Sequence, residues 1–156
     1  MTPYYSEKLG KGMEYQDFLI KPLIQHGLVF QQYASKRYQQ EKGESFNGIE
    51  VKYDMRMAET GNAYIEVAEK SNPNNAEYIK SGIFRDDNTI LYVIGDYRYC
   101  YVLSKSHLRN IVKSSPEYQK AKGIRKVQTP TSIGYLFPEP FLDVWCVTKI
   151  DLSGYQ

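Results

Sequence analysis

Side chains that favour soft metals are scarce in this sequence, with two histidines and two cysteines in 156 residues. His26 and His107 stand in unrelated contexts. Cys100 and Cys146 each lie in an apolar, aromatic run with no neighbouring His or Cys. This argues against zinc and favours buried, reduced thiols, and nothing in the spacing supports a disulfide. No apolar run approaches spanning length, and Met1 to Lys11 lacks the hydrophobic stretch of a signal peptide, so a cytoplasmic protein without a membrane partner is expected. A dominant charge is missing too. The net charge of +2 does not by itself indicate nucleic-acid binding, so any basic surface must be local. No repeat, low-complexity tract or linker divides the chain, and its length suits one domain, 1–156, with a real core.

Tyrosine is abundant, with 15 residues, in an otherwise ordinary balance of 42% apolar and 24% charged residues. Tyrosines fill cores, but they also suit wet binding surfaces and stack on nucleotide bases.

The stretch on which the rest turns is Gly48 to Lys70, GIEVKYDMRMAETGNAYIEVAEK. Ile49, Val51 and Tyr53 fall on one side of a strand; Glu50, Lys52 and Asp54 fall on the other. After a connector containing Thr60-Gly61-Asn62, Ile65 and Val67 alternate with Tyr64, Glu66, Ala68 and Lys70. If the two runs pair as neighbours, one face gathers Glu50, Lys52, Asp54 and Glu66. Such a face is expensive to bury unless a cation joins it, and magnesium, which takes one or two carboxylates plus water and phosphate oxygens, would do so.

Around this stretch the pattern predicts a helix over Gly12 to His26, with Met13, Phe18, Leu19, Leu23 and Ile24 inward, Pro22 a kink or early end, and Gly27 the stop. Glu14 near its start favours the helix dipole. Leu28 to Tyr33 reads as a short strand or the approach to a loop. Ala34 to Asn47 reads as a polar surface loop, either merely solvated or offering Lys36, Arg37 and Lys42 to phosphates and Tyr38, Gln39 and Gln40 to sugar or base. Asn72 to Asn75 must turn, and Arg85 to Asn88 turns again. Thr89 to Ile94 and Tyr99 to Leu103 predict a hairpin across Gly95-Asp96, where Asp96 serves the turn. Ser104 caps a helix over Lys105 to Lys113 with Leu108, Ile111 and Val112 inward. The charged run Ser114 to Val127, with Lys120, Lys122, Arg125 and Lys126, is a solvated helix and loop or the second half of a phosphate-binding rim. Thr129 to Leu136 reads as a connection, and Phe141 to Ile150 as a last strand with Trp145 inside. The order predicts an α/β (α+β) fold, a mixed central sheet flanked by helices.

Several of these residues together resemble the PD-(D/E)XK nuclease superfamily, and within it a group of uncharacterised phage and bacterial proteins. They are Lys42-Gly43-Glu44, Gly48 to Asp54, Glu59 to Asn62, Tyr64-Ile65-Glu66, Ser81-Gly82-Ile83 and Thr131 to Leu136. The resemblance spans most of the chain; each short piece is weak, and the order and spacing carry it. It implies a restriction-endonuclease-like fold and a magnesium-dependent endo- or exodeoxyribonuclease, with manganese able to substitute and phage-related DNA processing as a setting. Its implied partner is DNA, and a homodimer is compatible with it. Asp54 and Glu66 would hold the metal, and Glu14 is a candidate third acid because several relatives bring an acid from the first helix. Glu50 and Lys52 complete the implied catalytic group. Lys36, Arg37, Tyr38, Lys42, Lys122, Arg125 and Lys126 would contact DNA.

The sequence departs from the superfamily at Ala68, where lysine is usual. Lys52 supplying the ammonium from the other run is the preferred reading, because it keeps Asp54 and Glu66 as the metal acids; Lys70 could do so from farther along. Alternatively, Glu50-Val51-Lys52 is itself the Glu-x-Lys, with Glu41 or Glu44 as the preceding acid. The rival readings are a weakened or inactive relative that binds nucleic acid, and a small-molecule or protein-binding domain whose charged sheet face is only solvated.

Overall fold

A computed structural model describes residues 3–156. The strands are β1 (Ile49–Tyr53), β2 (Asn62–Glu69), β3 (Ile79–Lys80), β4 (Leu91–Gly95), β5 (Tyr99–Ser104), β6 (Arg125–Gln128), β7 (Ser132–Pro138) and β8 (Thr148–Asp151). The helices are α1 (Pro3–Gln25), α2 (Lys36–Lys42), α3 (Met57–Thr60), α4 (Lys105–Val112), α5 (Pro116–Ala121) and α6 (Glu139–Trp145). They build the mixed α/β fold that the pattern predicts, with two four-stranded sheets ordered β1-β4-β5-β8 and β3-β2-β7-β6.

Helix α1 runs through Pro22 and ends before Gly27, whose φ of 78° is the left-handed conformation that stops helices. It buries Tyr15, Leu19, Pro22 and Leu23, a stripe rotated from the expected one, so Met13 and Ile24 face solvent. That stripe covers one face of the first sheet, meeting Ile49, Val51, Val93, Cys100, Val102 and Ile150. Tyr15 is fully buried, and its hydroxyl donates to the Asp96 carbonyl at 2.9 Å, so its polar tip is satisfied. The opposite face, with Tyr92, Ile94, Tyr101 and Leu103, packs on Ala63, Ile65 and Phe137 of the second sheet and on Leu108, Ile111, Phe141 and Leu142 of α4 and α6. Among the described residues no helix is long and apolar enough to cross a membrane.

The hairpin forms as predicted, with β4 antiparallel to β5, and Asp96 Oδ1 accepts the Arg98 N–H at 2.8 Å in its turn. Ser104 caps α4 by accepting the His107 N–H. Both thiols are free, Cys100 buried and Cys146 partly so.

Four expectations are corrected. β1 and β2 do not pair: β1 lies parallel to β4, and β2 is antiparallel to β7 and β3. Thr129 to Leu136 supplies most of β7, a central strand. The predicted last strand is α6 followed by β8, because Glu139-Pro140 opens a helix with a proline in its first turn, and Trp145 is 41% exposed. The polar segment after Tyr33 contains α2, capped by the Ser35 side chain accepting the Tyr38 N–H.

Candidate acidic site beside Lys52

On β1, alternation sends Ile49 and Val51 to the α1 side and Glu50 and Lys52 to the other. Glu50 is 6% exposed, and Lys52 Nζ lies 2.7 Å from its Oε1. Glu44, seven residues before Val51, takes the Val51 N–H on Oε2 at 3.3 Å and the Gln16 side-chain amide on Oε1. Desolvation opposes the Lys52 charge, yet Glu50, Glu44 and Glu66 together hold the ammonium well above the ordinary lysine range. Burial pushes the Glu44 carboxyl up to about 7, and Glu50 adds to the push against the pull of Lys52. Burial and the charge of Glu66 likewise raise Glu69. Four carboxylates, Glu44, Glu50, Glu66 and Glu69, thus share the fields of two cations, Lys52 and Arg85.

Glu66 reaches this field from the second sheet, where both of its oxygens are held. Ser81 Oγ donates to Oε1 at 2.8 Å, and Ser132 Oγ donates to Oε2 at 3.0 Å. The Tyr64 and Ser132 hydroxyls share a further bond at 2.5 Å. Two glycines make room for this. A Cβ on Gly82, at φ 54°, would collide with the Glu66 carbonyl, and one on Gly134 would collide with the Tyr64 ring. Ser81-Gly82 and Ser132-Ile133-Gly134 therefore each deliver a hydroxyl beside a glycine that permits close approach. Both pieces carry the family resemblance without an assigned role, and their shared small-residue chemistry was the signal for one.

The ladder between β2 and β7 slips by one residue between Glu66 and Ala68. Glu66 stands opposite Gly134 and Ala68 opposite Ile133, so the two do not share a face, contrary to the uninterrupted alternation expected. Glu69, opposite Ser132, takes the face of Glu66. Lys70 lies over the Tyr78 ring at 4.3 Å.

The remaining predicted residues scatter. Asp54 accepts the Arg56 N–H on Oδ1 at 3.0 Å and the Tyr64 N–H on Oδ2 at 2.9 Å, joining the end of β1 to β2. Glu14 is exposed on α1, in the field of Lys11 and Tyr97; the α1 residue that reaches the acids is Gln16. Lys36, Arg37, Tyr38 and Lys42 all lie on α2, exposed, with Arg37 paired to Glu41 at 2.8 Å. Lys122, Arg125 and Lys126 are exposed at α5 and the edge strand β6, with Lys122 over the Tyr118 ring at 5.7 Å.

The donor set is hard oxygen, and its excess charge suits a hard divalent ion. Among the described residues no group of three or more His, Cys, Asp and Glu is placed to hold a metal ion. A metal held here would have to rely on one or two carboxylates and on water, the manner in which magnesium is bound.

Glu44 carries a pH prediction. Its folded pKa of about 7 lies above the ordinary 4.5, so the folded state holds the proton more tightly and stability falls as pH rises from about 4.5 to about 7. Glu44→Gln should therefore be more stable than the parent at pH 8 by on the order of 1–3 kcal/mol, with the gain vanishing below about pH 4.5. Denaturant unfolding across that range measures it; an equal difference at both ends would refute the assignment.

Comparison of the chain with protein-family models, with curated proteins and with solved structures finds no match in any of the three.

Proposed function

We propose that the protein is a metal-dependent phosphodiesterase of the PD-(D/E)XK type that cleaves DNA. The observation that carries this reading is the Lys52–Glu50 pair, 2.7 Å apart on β1, with Glu44 fixed by the Val51 N–H beside it and Glu66 in the electrostatic field of the same ammonium. Glu50-Val51-Lys52 is then the Glu-x-Lys, Glu44 is the acid that precedes it, and Glu66 joins from the second sheet. Asp54 is assigned to the β1–β2 junction, since each of its oxygens is engaged by a backbone N–H.

Glu50 and Glu66 would hold magnesium, which would polarise the scissile phosphate and lower the pKa of an attacking water. Lys52 stays charged at neutral pH, so its part is to bind the phosphate and offset negative charge growing on its oxygens. Glu44, with a pKa of about 7, is the group poised to accept a proton on its carboxylate at working pH. Ser81 and Ser132 keep the Glu66 oxygens in place. A second reading, a nucleic-acid-binding protein without turnover, draws on Ala68 and on the described residues bringing no three metal-ligating side chains together.

Calorimetric titration with manganese, followed by cleavage assays on linear, nicked, single-stranded and branched DNA in magnesium or EDTA, tests the proposal. Saturable metal binding with magnesium-dependent cleavage is expected. Metal-free protein that cleaves equally well, or absence of both binding and cleavage, rejects it. The serines add a prediction of their own. Ser81→Ala with Ser132→Ala should weaken manganese binding about 10- to 100-fold, as loss of groups that orient ligands does. Unaltered affinity in the calorimeter would return both hydroxyls to a purely structural role.

A further inference from the structure

Helix α2 and the chain on either side of it carry an aromatic surface that nothing in the acid site requires. Phe46 is 62% and Tyr38 49% exposed. The Tyr33 ring joins them, 4.2 Å from Phe46 at a tilt of 36° and 6.0 Å from Tyr38 edge-on. None of the α2 residues is buried, so burial of these rings does not hold the helix down. Polar bonds do. Arg85 donates to the Gln39 and Gln40 carbonyls, the Asn88 backbone N–H donates to the Lys42 carbonyl at 2.7 Å, and the Asn88 side chain donates to the Ser45 carbonyl at 2.8 Å. The backbone that carries the rings is thus held from behind, while Tyr38 and Phe46 stand exposed and Tyr33 packs half-buried against Phe46.

Two further features lie on the same element. Lys36, Arg37 and Lys42 stand against one acid, Glu41, so the surface is cationic. The Lys42 amine sits 6.0 Å from the Tyr38 ring centre. The surface is also continuous with the acids: the Tyr33 N–H donates to the Glu44 carbonyl at 3.2 Å, and Phe46 lies two residues beyond Glu44.

Exposed aromatic side chains interleaved with cations match a strand whose bases are free to stack and whose phosphates are within reach. In a duplex those base faces already cover one another. We infer that Tyr38, Phe46 and Tyr33 form a stacking platform for unpaired bases, so that the substrate led to Glu44, Glu50 and Glu66 is a single strand or a single-stranded end. The inference rests on the nuclease reading for the fate of the strand, but not for its binding.

The test is therefore binding in EDTA, by fluorescence anisotropy, of a labelled oligothymidylate and a duplex of equal length. The full-length protein should hold the single strand more tightly. Tyr38→Ala with Phe46→Ala should weaken single-strand binding about tenfold or more while leaving the melting temperature near that of the parent. Tyr38→Phe with Phe46→Tyr should keep the affinity. Equal or tighter binding of the duplex, or an Ala pair that binds like the parent, overturns the inference. So does failure to bind either oligonucleotide, which would leave the rings to a protein partner. Magnesium-dependent cleavage with no single-strand preference sinks this inference alone; single-strand binding through the rings without cleavage sinks the nuclease reading alone.

Discussion

Glu50→Gln and Glu66→Gln will each fold and each lose magnesium-dependent cleavage by about a hundredfold or more. The expectation follows from position. Glu50 is nearly buried against Lys52, and Glu66 has both oxygens held by serine hydroxyls. A carboxylate so fixed needs no reorganisation to meet a cation, and fixed charge in a partly dry site is the largest source of transition-state stabilisation enzymes use. Lys52→Met should lose cleavage comparably yet keep manganese affinity, because in the proposed mechanism the ammonium would meet the phosphate while the carboxylates would meet the ion. Cleavage rates and calorimetry on the same purified variants separate the two effects. Near-normal cleavage by either glutamine variant rejects the acid assignment, and full activity in Lys52→Met rejects the role of the ammonium. The slip in β2 adds a sharper expectation: Ala68→Lys will not restore activity to Lys52→Met, since residue 68 does not share the face of Glu66.

The second large effect concerns stability. Lys105→Met should destabilise the protein by about 3–5 kcal/mol. Lys105, the first residue of α4, is 4% exposed; its amine lies 2.6 Å from Asp87 Oδ1 and donates to the Arg85 carbonyl at 2.8 Å. The Asp87 side chain has no exposure at all. Removing the ammonium leaves a desolvated carboxylate with only the Thr89 N–H and a distant Arg85 guanidinium at 3.6 Å to hold it. At this chain size that loss lowers the melting temperature by roughly 6–20 °C. Asp87→Leu with Lys105→Met should recover part of it, because neither charge is then stranded. Calorimetric or denaturant unfolding decides; a Lys105→Met variant within about 1 kcal/mol of the parent would show the pair to be dispensable.

Local signals were the legible ones. The Gly27 stop, the Ser104 cap and the Gly95-Asp96 hairpin each involve residues a few positions apart, and each forms as the sequence predicts. What escaped was settled over distance. Nothing near Gly48 announces that β1 will lie beside β4, more than forty residues on, rather than beside β2. Phe141 to Ile150 holds enough apolar residues for a strand, and only the helix-opening Glu139-Pro140 argued otherwise. The charged alternation of Glu50, Lys52 and Glu66 was plain in the sequence, and Glu44 stood there beside Glu41 as a candidate preceding acid; only its contacts with Gln16 and Val51 distinguish it. Asp87 looked like turn chemistry because its partner, Lys105, is eighteen residues away.

The pairing of β1 sets an order of events as the chain is made. In the mixed sheet β1 is an edge strand whose only neighbour is β4, while β4 and β5 close on each other across a short turn. Near contacts form before distant ones, so the hairpin can assemble first and β1 dock onto it afterwards. Glu50 and Lys52 therefore have no scaffold until the chain has been synthesised past Ser104. Before that point a nascent chain carries the acids but not their arrangement, and any activity that needs Glu50 beside Lys52 must wait for the finished sheet.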